Sequence, residues 1–275
     1  MLVMDRRRTR LSWLWNVLAR VGASLWLSTL AFATADDVAK GLAVAQDAHK
    51  HHAGFVDYKV NVQMILRNPR AADDVRTLRV SGIEIPNDGE QSLIVFDDPP
   101  DQRGTALLTY AHATVDDDQW LFLPAMQRVK RIVSTNRAGP FVGSEFAFED
   151  LAAQEVARYS YKFLNQVTYD GVRCDRVERV PTYANSGYSR QVVWYDTDER
   201  RTRRVEFYDR RGELLKTYVA TDFVKYLDHT WRAARMQMKN VQTGRSTELL
   251  WSGYKFRNGL DADRDFSVNS LRRAR

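Results

Sequence analysis

Residues 118–151, DQWLFLPAMQRVKRIVSTNRAGPFVGSEFAFEDL, form the stretch that decides the fold. A short apolar strand at residues 120–123 is followed by Pro124, which has no N–H and therefore ends the strand or lies at a sheet edge. Basic and β-branched residues alternate over residues 128–133, which predicts a second strand with one exposed face. Glycine and proline over residues 139–143 then indicate a loop.

The loop carries three phenylalanines, Phe141, Phe146 and Phe148, among polar residues. Loops run over the protein surface and are mostly polar, so these rings need an apolar surface to lie on. That surface is either the protein's own core or a molecule that the protein carries. In the second case the rings would act as a lid, and Gly139 and Gly143 would give the loop room to move.

Three motifs of this stretch resemble the outer-membrane lipoprotein-sorting protein family, whose members are periplasmic carriers with a LolA-like fold. The motifs are WLFLPA at residues 120–125, RVKRI at 128–132 and FVGSEFAFEDL at 141–151. The resemblance implies a mainly β fold with a few helices, in which a curved, incompletely closed antiparallel barrel (a LolA-like half barrel) has helices covering its concave face. The hollow between sheet and helices would accept acyl chains.

The N-terminal segment has the pattern of a secretory signal peptide. Four arginines among residues 5–10 precede an apolar run over residues 21–33, which ends in the small-x-small sequence Ala-Phe-Ala. We therefore expect residues 1–33 to be a signal peptide, with cleavage after Ala35 as the near alternative, and residues 34–275 to be a single LolA-like carrier domain, free in the periplasm. The alternative is an uncleaved membrane anchor, but the run is shorter than the roughly 20 residues that a spanning helix needs. The general and the twin-arginine export routes both stay open.

The net charge argues against nucleic acid as a partner. The whole chain carries +6, but residues 1–33 hold five arginines and one aspartate, so residues 34–275 carry only +2. Binding of nucleic acid relies on a strong positive field. The one cysteine, Cys174, leaves no internal disulfide, and its place in an alternating pattern is that of a small apolar strand residue.

The rest of the chain predicts one helix followed by a long series of strands. Asp36 or Asp37 would cap a helix that runs to about Lys50, after which the apolar period changes to two. Besides the two strands of the opening stretch, strands are predicted at residues 58–67, 76–83, 92–96, 105–112, 155–168, 172–180, 191–195, 202–208, 214–226, 231–241 and 247–256. Phe266 and Leu271 would dock the C-terminal tail as a final helical turn.

We expect the acyl chains to contact apolar residues of these strands and of the loop. Each residue alone could equally be core, but a sheet of this many strands with few helices leaves apolar surface uncovered, as in barrels that hold a ligand. Methionine suits such a surface because its side chain adapts to the ligand. The expected lipid-binding set is Met64, Phe96, Trp120, Phe122, Met126, Phe141, Phe146, Phe148, Trp194, Phe207, Met236, Met238 and Trp251.

The basic residues Arg128, Lys130 and Arg131 form either the exposed face of a strand or a contact for anionic head groups or an acidic partner. The expected partners of this monomeric carrier are lipid or lipoprotein acyl chains, an inner-membrane transporter and, transiently, a membrane surface. The chain resembles a broader set of proteins whose genes often lie next to genes for exporters of the resistance–nodulation–division superfamily. An accessory role in such export is therefore the alternative function.

A third reading is a hydrolase that uses three clustered carboxylates, Glu145, Glu149 and Asp150, for acid–base chemistry. The simpler role of these residues is to cap and solvate a short helix after Gly143. No nucleophile elbow, phosphate-binding loop or dinucleotide fingerprint occurs in the sequence. We therefore expect a protein without enzymatic activity or cofactor.

Three histidines at the end of the predicted helix, His49, His51 and His52, are the only candidate metal ligands of note. No acidic or thiol partner accompanies them at a recognisable ligand spacing. A helix C-terminus favours cationic side chains, which accounts for them equally well. We expect no metal site.

Overall fold

The structure, a computed structural model, describes residues 34–273. Helix α1 spans Ala35–His52, and the two short helices α2 (Ala262–Asp265) and α3 (Val268–Leu271) end the described part. Thirteen strands lie between them: β1 (Asp57–Arg67), β2 (Asp74–Glu84), β3 (Glu90–Asp98), β4 (Ala106–Tyr110), β5 (Asp118–Leu123), β6 (Arg128–Ile132), β7 (Tyr159–Tyr169), β8 (Val172–Pro181), β9 (Tyr188–Asp196), β10 (Thr202–Asp209), β11 (Leu214–Tyr226), β12 (Thr230–Asn240) and β13 (Ser246–Phe256). The expected signal peptide, residues 1–33, lies outside the described residues. None of the helices described is long and apolar enough to cross a membrane.

Helix α1 begins at a capping box. The Thr34 hydroxyl accepts a hydrogen bond from the Asp37 N–H at 3.1 Å, and the Asp37 carboxylate accepts one from the Thr34 N–H at 3.3 Å. The cap predicted at Asp36 or Asp37 is therefore wrong, because Asp37 supplies the second half of a box that starts at Thr34. Further along, Gly41 lies directly on β7, where a Cβ atom would be 2.7 Å from the Phe163 nitrogen.

All thirteen strands of the described chain pair in one antiparallel sheet with the order β6-β5-β4-β3-β2-β1-β13-β12-β11-β10-β9-β8-β7. The first six strands and the last seven each form a meander, and pairing of β1 with β13 joins the two. The sheet does not close, so β6 and β7 are its two edges. Residues 133–158 connect these edges, and we call them the crossing segment.

The contacts of the crossing segment show that the sheet is strongly curved. The Gln119 amide on β5 donates to the Phe148 carbonyl at 3.0 Å, and the Tyr188 hydroxyl on β9 donates to the Asp150 carboxylate at 2.8 Å. In a flat sheet β5 and β9, which are nine strand spacings apart, would be about 43 Å from each other. Two residues of one loop reach both strands only because the sheet wraps around the loop.

Alternation along the strands gives the sheet two different faces. The concave face packs on α1 and the crossing segment and includes Phe96, Leu107 and Val193. The neighbouring residues Leu108 and Phe122 lie on the convex face, under Phe266 and Leu271 of the C-terminal tail. The predicted fold class, a curved and incompletely closed antiparallel sheet with helices on its concave side, is confirmed.

The strands predicted from the alternating pattern are all present, with ends that differ by a few residues. The largest difference at a strand start is in the segment predicted over residues 155–168, where β7 begins only at Tyr159. Residues Val156–Arg158 form a 3-10 turn instead, because the crossing segment must still turn onto the edge of the sheet there. The predicted docking of the tail is confirmed, since Phe266 and Leu271 are fully buried.

Candidate functional site

A cavity of about 840 Å³ lies between the concave face of the sheet, the C-terminal half of α1 and the crossing segment. This volume is within the range of pockets that enclose small-molecule ligands, roughly 300–1,000 Å³. The wall is largely apolar and includes Ala45, Val80, Ile94, Phe146, Leu151, Phe207, Tyr218, Ala220, Met236, Met238, Leu249 and Trp251.

Strand register explains why the methionines meet in this wall. Met236 on β12 lies between Ala220 on β11 and Leu249 on β13, and Leu249 in turn pairs with Met64 on β1. Cross-strand neighbours point to the same face of a sheet. One transverse row of four strands therefore presents small and flexible apolar side chains to the concave side. Met238, two residues further along β12, continues the same face.

The structure brings five of the expected lipid-binding residues together in the cavity wall: Phe146, Phe207, Met236, Met238 and Trp251. Four more, Met64, Phe96, Phe141 and Phe148, lie in the core on the same face. Trp120 and Phe122 belong to the convex cluster under the tail, and Trp194 packs with Cys174 in another cluster on the convex side. Met126 is exposed. Trp120, Phe122, Trp194 and Met126 therefore do not line the cavity. Lipid binding by the other expected residues stays a prediction.

The three phenylalanines of the crossing segment are buried rather than lying loose on a loop. Phe141 packs against Phe96 and Phe148, with ring centroids 5.7 and 5.8 Å apart. Phe146 borders the cavity, and its carbonyl accepts a hydrogen bond from the Phe141 N–H at 2.8 Å. The expected lid is thus a packed wall in this structure, because the segment must pass through the concave side to join the two sheet edges.

The three clustered carboxylates all hold the crossing segment in place. Glu145 accepts a hydrogen bond from the Asn240 amide at 3.0 Å. Glu149 accepts hydrogen bonds from the Ser186 hydroxyl at 2.9 Å and the Gly187 N–H at 2.8 Å. Burial raises the pKa of Glu149, and the nearby Asp150 raises it further.

Asp150 forms an ion pair with Lys216 at 2.6 Å. Like Glu145 and Glu149, it is used for anchoring, which leaves no pair of free carboxylates among these three residues for acid–base work.

The basic residues of β6 are exposed at the sheet edge. Arg131 forms an ion pair with Asp118, and Lys130 borders a groove of about 880 Å³ on the other side of the crossing segment. This groove, which is also lined by the exposed Arg210 and Arg211, is more open to solvent than the cavity, so it shelters an acyl chain less well. A role of Arg128, Lys130 and Arg131 in head-group or partner contact stays a prediction.

The three histidines lie at the C-terminal end of α1, near the cavity. His51 is 3.7 Å from Asp47, and the Arg232 guanidinium lowers the pKa of His52 well below its usual value. Within residues 34–273, no group of three or more histidine, cysteine or acidic side chains is arranged to hold a metal ion.

Sequence reasoning did not single out two ionisable residues of the cavity wall, Glu90 on β3 and Arg232 on β12. The Glu90 carboxylate accepts a hydrogen bond from the Tyr58 hydroxyl at 2.9 Å. A signal was present in the sequence, since Arg232 shares the period-two face of Met236 and Met238. This alternation could identify Arg232 as a cavity residue only once it was known that the face lies on the concave side of the sheet.

Burial raises the pKa of Glu90 to about 7, from an ordinary value of 4.5. The folded state therefore binds more protons than the unfolded state between these two pH values, and Glu90 destabilises the fold as the pH rises through that window. We expect Glu90→Gln, which keeps the acceptor for Tyr58, to stabilise the protein by about 1–3 kcal/mol at pH 8 and by almost nothing at pH 4.5.

Urea denaturation of wild type and variant at several pH values measures this difference. Glu213→Gln, at an exposed position between β10 and β11, is the control, because it removes the same charge at the surface and should change the stability by less than about 0.5 kcal/mol. If the difference in unfolding free energy between wild type and Glu90→Gln stayed constant with pH, the assignment of a raised pKa to Glu90 would be contradicted.

Comparison with known proteins agrees with this architecture. A family described as "Uncharacterized protein" matches residues 88–273. A crystal structure of an outer membrane lipoprotein-sorting protein domain from Vibrio parahaemolyticus is 44% identical with a TM-score of 0.84, covering 86% of this chain and 99% of that one. No curated protein matches the sequence.

Two further solved structures have the same fold. A DUF1329 family protein from Desulfovibrio piger is 26% identical with a TM-score of 0.81, covering 86% of this chain and 99% of that one. A LolA superfamily protein from Nitrosomonas europaea is 22% identical with a TM-score of 0.67, covering 83% of this chain and 98% of that one, and it supports the fold alone. Together with the open thirteen-stranded sheet and its cavity, these matches show that the chain belongs to the LolA-like family of outer-membrane lipoprotein-sorting proteins.

Proposed function

We propose that this protein is a periplasmic carrier that binds acyl chains of a lipid or lipoprotein in the cavity and transfers them towards the outer membrane. The observation that carries the proposal is the cavity of about 840 Å³, whose wall of methionine, phenylalanine and tryptophan side chains lies on the concave face of the sheet. The 44% identity to a lipoprotein-sorting domain supports the cargo class.

The hydrophobic effect supports binding of acyl chains in this cavity. Burial of each CH₂ group gains about 0.8 kcal/mol, so a chain of about a dozen carbons gains on the order of 10 kcal/mol. Ordering the chain and losing its freedom of motion subtract from that sum. The net binding free energy is therefore well below the gross gain, which suits a carrier that must also release its cargo. The anchoring role of Glu145, Glu149 and Asp150 gives the hydrolase alternative no support.

Export to the periplasm follows, in this proposal, from the leader at residues 1–33 and leaves residues 34–275 as one carrier domain. The protein would receive cargo from an inner-membrane transporter and meet a membrane surface only transiently, as a monomer. Handling of hydrophobic cargo for a resistance–nodulation–division exporter would need the same cavity. The two pathways differ in the partner and not in the binding site.

Filling the cavity tests the proposal. Ala220 is buried in the cavity wall, and Ala220→Phe would occupy space that the acyl chain needs. We expect this variant to bind palmitic acid at least about tenfold more weakly than wild type, since loss of a few buried CH₂ groups costs more than 1.4 kcal/mol. Binding is measured by native mass spectrometry and by isothermal titration with purified protein.

Thr221→Phe is the matched control, because it adds the same ring to the opposite face of β11. It should bind palmitic acid like wild type, and circular dichroism should show that both variants are folded. A wild-type protein that binds no acyl ligand, or an Ala220→Phe variant with unchanged affinity, would overturn the proposal.

A further inference from the structure

Arg232 is a charged residue on the apolar side of the sheet. It lies near the start of β12, on the face that Met236 and Met238 share, and it lines the cavity with only 6% of its surface exposed. Arginine stays protonated in proteins, so burial cannot remove this charge. A buried guanidinium is costly unless other groups compensate it.

The protein's own groups compensate the buried charge of Arg232 only in part. Arg232 donates from Nη1 to His52 Nδ1 at 3.2 Å and to the Trp231 carbonyl at 3.1 Å. Its guanidinium stacks 4.8 Å from the centre of the Phe55 ring. The Nη2 group is buried and has no hydrogen-bond partner among the described residues.

Two other arginines bordering the same cavity, Arg200 and Arg201, have carboxylate partners. A third, Arg179, is buried without such a partner in the described part of the chain and donates to the Gln191 side chain at 2.7 Å. Arg200 forms ion pairs with Asp47 and Asp175, both at 2.7 Å. Within residues 34–273, no carboxylate lies at ion-pair distance from Arg232. The Glu90 carboxyl group borders the same cavity and is close enough for the Arg232 charge to lower its pKa against the effect of burial, but its hydrogen bond is with the Tyr58 hydroxyl.

A second donor without a partner lies close along the same wall. The indole N–H of Trp251 is buried and unpaired within the described chain. Because Met236 pairs with Leu249 and the strands are antiparallel, Trp251 lies towards the Arg232 end of β12. The apolar wall continues from there through Met236 to Met238. Arg232 and Met238 are about 20 Å apart along the strand, which suits an extended acyl chain.

We propose that Arg232, assisted by the Trp251 indole, binds the anionic head group of the acyl cargo, a carboxylate or a phosphate. The head group lies at the Arg232 end of the cavity, and the chain runs along the methionines. This inference rests on the proposed carrier function and narrows its substrate class to anionic amphiphiles. A planar guanidinium with free N–H groups matches both carboxylate and phosphate oxygens.

The test compares three ligands that share a palmitoyl chain: palmitate, 1-palmitoyl lysophosphatidic acid and the neutral 1-palmitoyl glycerol. Affinities are measured at pH 8 for wild type, Arg232→Met and Lys239→Met. Lys239 is an exposed residue of the same strand, so its variant controls for the loss of one positive charge. If Arg232→Met does not fold, Arg232→Gln gives the same comparison.

We expect wild type and Lys239→Met to bind at least one anionic ligand at least about tenfold more tightly than the neutral one, since hydrogen bonds to charged groups contribute about 1.5–3 kcal/mol. The Arg232 variant should lose this preference and keep its affinity for the glycerol ester. Preference for palmitate identifies a carboxylate head group, and preference for lysophosphatidic acid identifies a phosphate.

Equal affinity of wild type for neutral and anionic ligands, or a preference that survives in the Arg232 variant, would overturn the inference while leaving the carrier function intact. If the wild-type protein binds none of the three ligands, the carrier function itself is overturned.

Discussion

Replacement of Phe141 by alanine is expected to lower the free energy of unfolding by about 3–5 kcal/mol, as for other large aromatic side chains removed from a core. Phe141 is fully buried and packs on Phe96 of β3 and on Phe148. The crossing segment has few ways to close the space, because hydrogen bonds to several strands fix its position. Urea denaturation followed by tryptophan fluorescence measures the change.

Met126→Ala is the control for this experiment. Met126 lies between β5 and β6, before the crossing segment, and it is 65% exposed, so its removal should change the stability by less than about 0.5 kcal/mol. A cost below about 1 kcal/mol for Phe141→Ala would show that the segment is loosely packed. That result would support the hypothesis that the three phenylalanines form a mobile lid.

The strands could be predicted from the sequence because each shows its own period of two and most are separated by turn residues. β11 and β12 are examples, predicted at residues 214–226 and 231–241 and observed at Leu214–Tyr226 and Thr230–Asn240. Hairpins depend on residues that are close in the sequence, so local patterns suffice. The curvature of the sheet came from the resemblance of the central motifs and not from the alternation.

The direction of each face could not be predicted, since alternation separates two sets of residues without saying which one is concave. Trp120 and Phe122 look like cavity residues in the sequence. They face outward because the tail covers them with Phe266 and Leu271, more than a hundred residues later in the chain. Trp194 is on the convex side in the same way, next to Cys174.

The path of the crossing segment could not be predicted from the sequence either. Its phenylalanines indicated a need for an apolar surface, but not that the segment joins the two edges of one sheet. That fact depends on the pairing of β1 with β13, which places β6 and β7 at opposite ends of the strand order. Once the order is known, a connection through the concave side explains the burial of Phe141, Phe146 and Phe148 without a lid.

Lys216→Met is expected to lower the stability by about 3–5 kcal/mol, because it leaves a buried carboxylate without its counter-charge. The Lys216 ammonium lies 2.6 Å from the Asp150 carboxylate, and each side chain is only 5% exposed. Lys216 also donates to the Glu145 carbonyl at 2.8 Å, so it fastens the crossing segment to β11 at two points. Thermal and urea denaturation measure the loss.

The double variant Lys216→Met/Asp150→Asn separates the charge effect from lost packing. Asparagine keeps an acceptor for the Tyr188 hydroxyl, which binds Asp150 at 2.8 Å, but needs no counter-charge. We therefore expect the double variant to be more stable than Lys216→Met by about 1–3 kcal/mol. Arg131→Met is the surface control, since its ion pair with Asp118 is exposed and should contribute less than about 1 kcal/mol. If Lys216→Met cost no more than this control, the buried pair would not be the anchor of the crossing segment. The cavity wall that Asp150 and Phe146 form would then depend on the apolar contacts of the phenylalanines alone.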